Sequence, residues 1–291
     1  FIFIFTNTTL AQPWHYDFPE TTKTHSSSSS VTFLPVPPSG TARVRVGSGG
    51  GNISIQQSPS IFDLSSYLRM SAPTSGSLNK FAIYNYAAGK VFTLKFKLRL
   101  GAADGSIPSA SNGAWSLFVG DGNSYITDVG FSGGESFLGM QLIFGNGGAI
   151  TVGIRVGSLW IALGLPSEVF QQGTNFTVEI YGNNSGTTQN YSNNGPRNVA
   201  ANKWDLWVNG VLQGDELPKA ALPGNTNIDS WMIYGESSSG NTANIFLDDI
   251  YYTNTISEFP LPVNLSSFNV NASGRNVLLN WITSSEVNNS G

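Results

Sequence analysis

Histidine is the first filter on what this chain could catalyse. Only His15 and His25 occur, and both fall in the N-terminal segment ahead of the strand-rich region. A Ser-His-Asp triad needs an imidazole ordered inside the site, so hydrolysis by that route is not expected. His-ligated zinc fails for the same reason. Cysteine is absent, which removes thiolate catalysis and Cys-ligated zinc. Sugar-bond hydrolysis needs two carboxylates facing one another across the scissile bond. Glu179 is the lone acid of its strand, and Asp248 and Asp249 are neighbours, so in a strand they point to opposite faces. No facing pair is expected from these positions.

Sugar recognition asks for less: an aromatic face against the apolar side of a ring, and a few polar groups that orient hydroxyls. In "KWDLWVNG" (203–210), period-2 alternation puts Trp204, Leu206 and Val208 on one face and Asp205, Trp207 and Asn209 on the other. Trp207 and Asp205 are thus expected side by side on a polar face. Arg155 and Glu179 occupy the polar faces of their own strands. These four form the candidate ligand-binding set. The plain structural alternative is that Trp207 covers a gap between strands. For a structural calcium, "GDGNS" (120–124) and the Asp248/Asp249 pair offer oxygens, although neither matches an EF-hand loop. No other cofactor is expected.

Such residues need a scaffold, and the periodicity names it. In "KVFTLKFKLRL" (90–100), Phe92, Leu94, Phe96, Leu98 and Leu100 alternate with Thr93, Lys95, Lys97 and Arg99. That is a half-buried antiparallel strand. Further strands are expected at 42–47, 114–120, 137–145, 149–157, 159–164, 175–182, 203–213, 230–235 and 244–253. Asn209-Gly210 between apolar residues predicts a hairpin turn, because both central positions of a type I′ turn need positive φ. Residues 60–70 are the one stretch read as able to hold a helical turn. "HSSSSS" (25–30) reads as flexible, and "GNNSGTTQNYSNNGPRN" (182–198) as a loop. Many strands, Gly-rich turns and almost no helical periodicity predict an all-β antiparallel sandwich or jelly roll.

Composition agrees. The chain has 291 residues, 40% hydrophobic, 12% aromatic and only 11% charged. An average soluble domain carries roughly 25% charged residues, so Ser, Thr, Asn, Gln and Gly must supply this surface. That pattern suits an extracellular β protein. The net charge is −4 and the Lys and Arg residues form no stripe, which argues against nucleic acid and anionic membrane as partners. No apolar run is long enough for a membrane helix. Residues 1–11 ("FIFIFTNTTLA") read as the tail of a secretory signal, with Thr9 and Ala11 as the small residues before a cleavage point. Residues 12–256 read as the sandwich, and 257–264 as a Pro-containing linker. Residues 265–291 read as the opening of a second small β domain, expected to be poorly packed with so few strands.

Two resemblances add to this reading. "LPVNLSSFNVNASGRNVLLNWITSSEVNNSG" (261–291) resembles a segment common in secreted Bacteroidota proteins, matching at Leu261, Pro262, Val263, Leu265, Phe268, Val277, Leu279, Trp281, Thr283, Glu286, Asn288, Asn289 and Gly291. The resemblance implies a fibronectin-type-III-like domain followed by a sorting signal for the type IX secretion machinery, and therefore a secreted or cell-surface protein. Residues 31–256, with "KWDLWVNGVLQ" and the closing "NIFLDDIYYT", resemble the concanavalin-A-like (laminin-G or lectin-type) jelly roll. Glucanases of that fold carry a Glu-x-Asp-x-x-Glu or Glu-x-Asp-x-Glu strand, which is missing here, and its lyases use a core His. The expected function is an exported module that binds a polysaccharide or cell-surface glycan. A structural spacer or adhesin domain without a small-molecule site is one alternative. A carbohydrate-active enzyme, glycosidase or lyase, with a non-standard site is the other.

Overall fold

The alternation at residues 90–100 becomes the Val91–Gly101 strand, which buries Phe92, Leu94, Phe96, Leu98 and Leu100 and turns Lys95, Lys97 and Arg99 outward. It lies in the middle of a nine-stranded sheet. From one edge the order is Val211–Pro218, Lys203–Val208, Asn175–Asn183, Val91–Gly101, Asn244–Thr253, Tyr67–Ser71, Ile53–Gln56 and Lys23–His25. The ninth strand, Trp14–Tyr16, pairs with Ile250–Tyr252. A second sheet of eight runs Leu159–Ala162, Ile150–Val156, Ser136–Phe144, Ala114–Gly120, Ser230–Glu236, Leu78–Tyr84, Thr41–Val46 and Ser28–Ser30. Neighbouring strands in both sheets are antiparallel. In this computed structural model the described residues are 13–62, 66–101, 111–236, 241, 243–256, 264–273 and 276–285.

The two sheets pack face to face. Phe92, Leu94, Leu98, Ile180, Trp204 and Leu247 from one meet Val44, Phe81, Trp115, Leu138, Ile154 and Trp231 from the other in one continuous core. Burial of this apolar surface is the main favourable term, because no disulfide supplements it. The chain is an all-β antiparallel sandwich of two large sheets. Asn209 and Gly210 take φ of 50° and 72°, as the type I′ turn requires.

Three local expectations are corrected. Residues 67–71 form a strand rather than a helical turn. Tyr67, Leu68 and Met70 are buried, and the segment pairs with both Ile53–Gln56 and Asn244–Leu247. Within the serine run, Ser28–Ser30 pairs with Val44–Val46. Serine's weak strand preference yields there to the open edge of a strong neighbour. The supposed loop at 182–198 contains a hairpin, Gln189–Ser192 with Pro196–Val199. The sandwich begins near residue 14, since Trp14, Tyr16 and Phe18 are buried in its core.

A covering segment lies over the outside of the eight-stranded sheet. Tyr125 is fully buried against this face, and Phe131 stacks on Phe118 at 4.4 Å. Buried Lys80 anchors the segment. Its Nζ donates to the carbonyls of Ser124 (2.8 Å), Thr127 (2.5 Å) and Val129 (3.2 Å). Burial, reinforced by Arg43, pushes its pKa down to about 8.

Residues Asn264–Ser273 and Asn276–Ser285 form an antiparallel pair that shares no strand with the large sheets. The signal segment 1–11, most of the linker (257–263) and the closing residues 286–291 lie outside the described residues. Among the described residues no helix is long and apolar enough to cross a membrane.

Candidate functional site

The candidate residues divide between the two outer surfaces. Phe176, Val178 and Ile180 point into the core, so Glu179 and Tyr181 point out. Trp204, Leu206 and Val208 likewise point in, so Asp205 and Trp207 point out. The register sets Glu179 opposite Trp207, and Tyr181 opposite Asp205. These residues therefore share the outer face of the nine-stranded sheet. Arg155 does not join them. Ile154 on its strand faces the core, and Arg155 projects from the far side of the other sheet. There its guanidinium stacks over Phe131 (4.9 Å) and Trp160 (5.3 Å) and donates to the Ser158 carbonyl.

The shared face is partly roofed. The Gln189–Ser192/Pro196–Val199 hairpin lies over it, and Tyr191 and Val199 pack with Tyr181 and Trp207. Tyr191 stacks on Tyr181 at 4.1 Å. The Trp207 indole N–H donates to the Tyr191 hydroxyl (3.0 Å), which donates to Asp205 Oδ2 (2.5 Å). Asp205 Oδ1 accepts the Glu216 backbone N–H at 2.8 Å. Arg197 sits 5.3 Å above the Trp207 ring. Trp207 is 2% exposed and Asp205 1%, so neither offers a surface to a ligand in this arrangement. Burial raises the Asp205 pKa, while the Tyr191 and Glu216 hydrogen bonds hold it back. Burial together with the Asp205 carboxylate keeps Tyr191 protonated, as its donor role requires.

What stays open on this face is a cleft of about 190 Å³ lined by Phe62, Lys97, Asn175, Phe176, Thr177 and Asn209. It sits on the same pair of strands as Lys95 and Glu179. Lys97 Nζ lies 3.2 Å from Asp249, which also takes a 2.9 Å contact from His15. Asn175 is held by Arg99 and by the Ile61 carbonyl. Asn209 Oδ1 accepts the Thr177 N–H. A second cleft of about 270 Å³ is lined by Gly147, Gly148, Ala149, Ser167, Glu168 and Gln171.

The oxygens considered for calcium do not fit a cation site. Asp249 already faces Lys97 and His15. In "GDGNS", Asp121 is hydrogen-bonded to Asp229, and the Ser124 N–H goes to Glu135. Among the described residues no group of three His, Cys, Asp or Glu is placed to hold a metal.

The Asp121–Asp229 pair was not visible in the sequence, where the two are far apart: "GDGNS" drew attention to Asp121, and Asp229 lies in no motif. The Ala114–Gly120 and Ser230–Glu236 strands bring them together, with Gly120 opposite Ser230. Burial first, and the Asp121 charge after it, raise the Asp229 pKa to about 6, with Ser230 opposing. The folded state then binds more protons than the unfolded chain between about pH 4 and 6. Stability should fall as pH rises through that window. Asp229→Asn is expected to remove the fall and to stabilise the protein at pH 7 by about 1 kcal/mol, after allowance for solvent screening. Urea midpoints at pH 4, 5, 6 and 7 for both proteins test this. Parallel curves would reject the assignment.

No family model matches the chain, and no curated protein matches it. The solved structures it is similar to match at low identity. The calreticulin globular domain of T. cruzi is 8% identical, with a TM-score of 0.46 over 83% of this chain and 88% of that one. The cellulose-induced protein Cip1 is 14% identical, with a TM-score of 0.44 over 78% and 90%. The PL-14 alginate lyase of Aplysia kurodai is 12% identical, with a TM-score of 0.42 over 69% and 86%.

Proposed function

We propose that this chain is a non-catalytic carbohydrate-recognition module that works outside the cell. The observation that carries the reading is the open cleft on the nine-stranded sheet. Lys97, Asn175, Thr177 and Asn209 gather there. Amide, hydroxyl and ammonium groups gathered in one open cleft suit a polyhydroxylated ligand. Export is supported by the low charge content, and a type IX route by the resemblance of residues 261–291 to the secreted Bacteroidota segment.

The full chain on a glycan array is expected to give selective binding. Lys97→Ala should weaken it at least tenfold (~1.4 kcal/mol). Glu168→Ala, in the other cleft, should leave it unchanged. Loss in Glu168→Ala alone would move the site to that cleft. Release of new reducing or unsaturated ends from a polysaccharide panel would replace the reading with an enzyme. A second reading, a structural spacer or adhesin domain, is favoured by the burial of Trp207 and Asp205 beneath the hairpin. Absence of binding to any glycan would establish it over the first.

A further inference from the structure

Beside the cleft, one carboxylate oxygen gathers an amine and a side-chain amide whose residues could be joined. Lys95 and Glu179 face each other across neighbouring strands, and Lys95 Nζ contacts Glu179 Oε2. The same oxygen accepts Asn193 Nδ2 at 3.3 Å and the Tyr181 hydroxyl at 3.0 Å. Two nitrogens that share one oxygen lie within about two hydrogen-bond lengths of each other, ~6 Å. Asn193 sits in the turn of the hairpin that roofs this face, held by its N–H to the Gly195 carbonyl (3.0 Å). The surroundings are half-buried and aromatic. Tyr181 and Tyr191 are buried, the Lys95 ammonium lies 5.4 Å over the Tyr181 ring, and the Glu179 side chain is 13% exposed.

We propose that Lys95 and Asn193 form an intramolecular isopeptide bond, with Glu179 as the proton shuttle. The step balances without any added reagent. The neutral Lys95 amine attacks Asn193 Cγ, and a Nζ–Cγ bond forms. Glu179 takes a proton from Nζ and returns one to Nδ2. The Cγ–Nδ2 bond then breaks and ammonia leaves. No oxidant or reductant takes part, and nothing else is consumed.

Three features suit the chemistry. Burial lowers the Lys95 pKa, with Glu179 opposing, which favours the neutral amine that must attack. Tyr181 holds the Glu179 oxygen between the two nitrogens. The low local dielectric favours an amide over an ammonium–carboxylate pair that has lost its water. The product would bolt the hairpin to the sheet in a protein that has no cysteine to do so. This inference does not depend on the glycan reading, since the link can form whether or not the cleft binds anything.

The test is the intact mass of the purified full chain under denaturing conditions. A deficit of about 17 Da, the mass of one ammonia, is expected against the mass calculated from the sequence. Proteolytic digestion should yield a branched peptide joining Lys95 to Asn193. Glu179→Gln, Lys95→Arg and Asn193→Ala should each restore the calculated mass. The reading needs no folded variant to fail. A wild-type chain of full calculated mass, with Lys95 and Asn193 in separate linear peptides, overturns it. So does a deficit that persists in Lys95→Arg, because the ammonia then came from elsewhere.

Discussion

Trp207→Ala is expected to destabilise the protein by about 3–5 kcal/mol, the usual cost of removing a large buried aromatic. Trp207 fills the space between the outer face of the nine-stranded sheet and the hairpin that crosses it. Its loss also removes the donor to Tyr191 and leaves the Tyr191–Asp205 pair to order itself alone. Trp207→Phe should cost less, roughly half, because the ring volume is mostly kept while the N–H is lost. Urea denaturation followed by circular dichroism measures both. Whatever fraction of Trp207→Ala remains folded should still bind glycan, because the indole does not line the open cleft. A variant with an unchanged midpoint and abolished binding would reverse this. Trp207 would then be a direct ligand contact, reached by movement of the hairpin.

The second large effect is expected at Lys80, on the opposite side of the sandwich. Lys80→Met keeps the aliphatic stem but deprives three carbonyls of their donor. A buried carbonyl left without a partner costs about 1–3 kcal/mol; the Ser124 contact is buried and the other two are half-buried, and part of the cost is offset by no longer burying a charge, for a net loss of about 2 kcal/mol. The damage should be local. Amide exchange is expected to quicken across residues 121–135 while the core strands keep their protection. The pH dependence has a definite sign. The folded pKa of Lys80 is about 8, below the 10.5 of the unfolded side chain, so the unfolded state holds more protons in between. Arg43, Arg45 and Asp128 are the charges around it. Stability contributed by this site should therefore rise from about pH 8 toward 9.5, and Lys80→Met should lack the rise. Equal slopes for the two proteins would show that the ammonium keeps an ordinary pKa in its carbonyl cage.

The strands with strong alternation were legible because side-chain period alone defines them. Residues 90–100, the Asn209-Gly210 turn and the 244–253 strand needed no tertiary information. Alternation also assigned the faces of Asp205, Trp207 and Glu179. It could not say which sheet a strand joins. Arg155 has the same local pattern as Glu179, yet its strand pairs into the other sheet and faces away from the remaining three. Nor could alternation reveal that a polar-side tryptophan is covered. The cover is Gln189–Ser192 with Pro196–Val199, a hairpin in which only Tyr191 and Val199 have strong strand preference. It is ordered by what it lands on: Tyr191 reaches Asp205 and Trp207, and Val199 is fully buried. The short strands at 23–25 and 28–30 were hidden for the same reason, because each takes its conformation from a stronger neighbour.

The strand order also sets a timetable for synthesis. Asn244–Thr253 lies between Val91–Gly101 and Tyr67–Ser71, and Ser230–Glu236 lies between Ala114–Gly120 and Leu78–Tyr84. Each large sheet is thus joined at its middle by one of the last strands of the sandwich to be made. While the chain is emerging, each sheet exists as two unjoined parts with raw inner edges. The eight-stranded sheet cannot zip until Ser230–Glu236 is available, nor the nine-stranded sheet until Asn244–Thr253 is. Pairings of such long sequence separation form slowly and leave sticky intermediates. A chain built this way gains from a carrier that keeps it unfolded until it is complete, and loses solubility when synthesis stalls before the late strands.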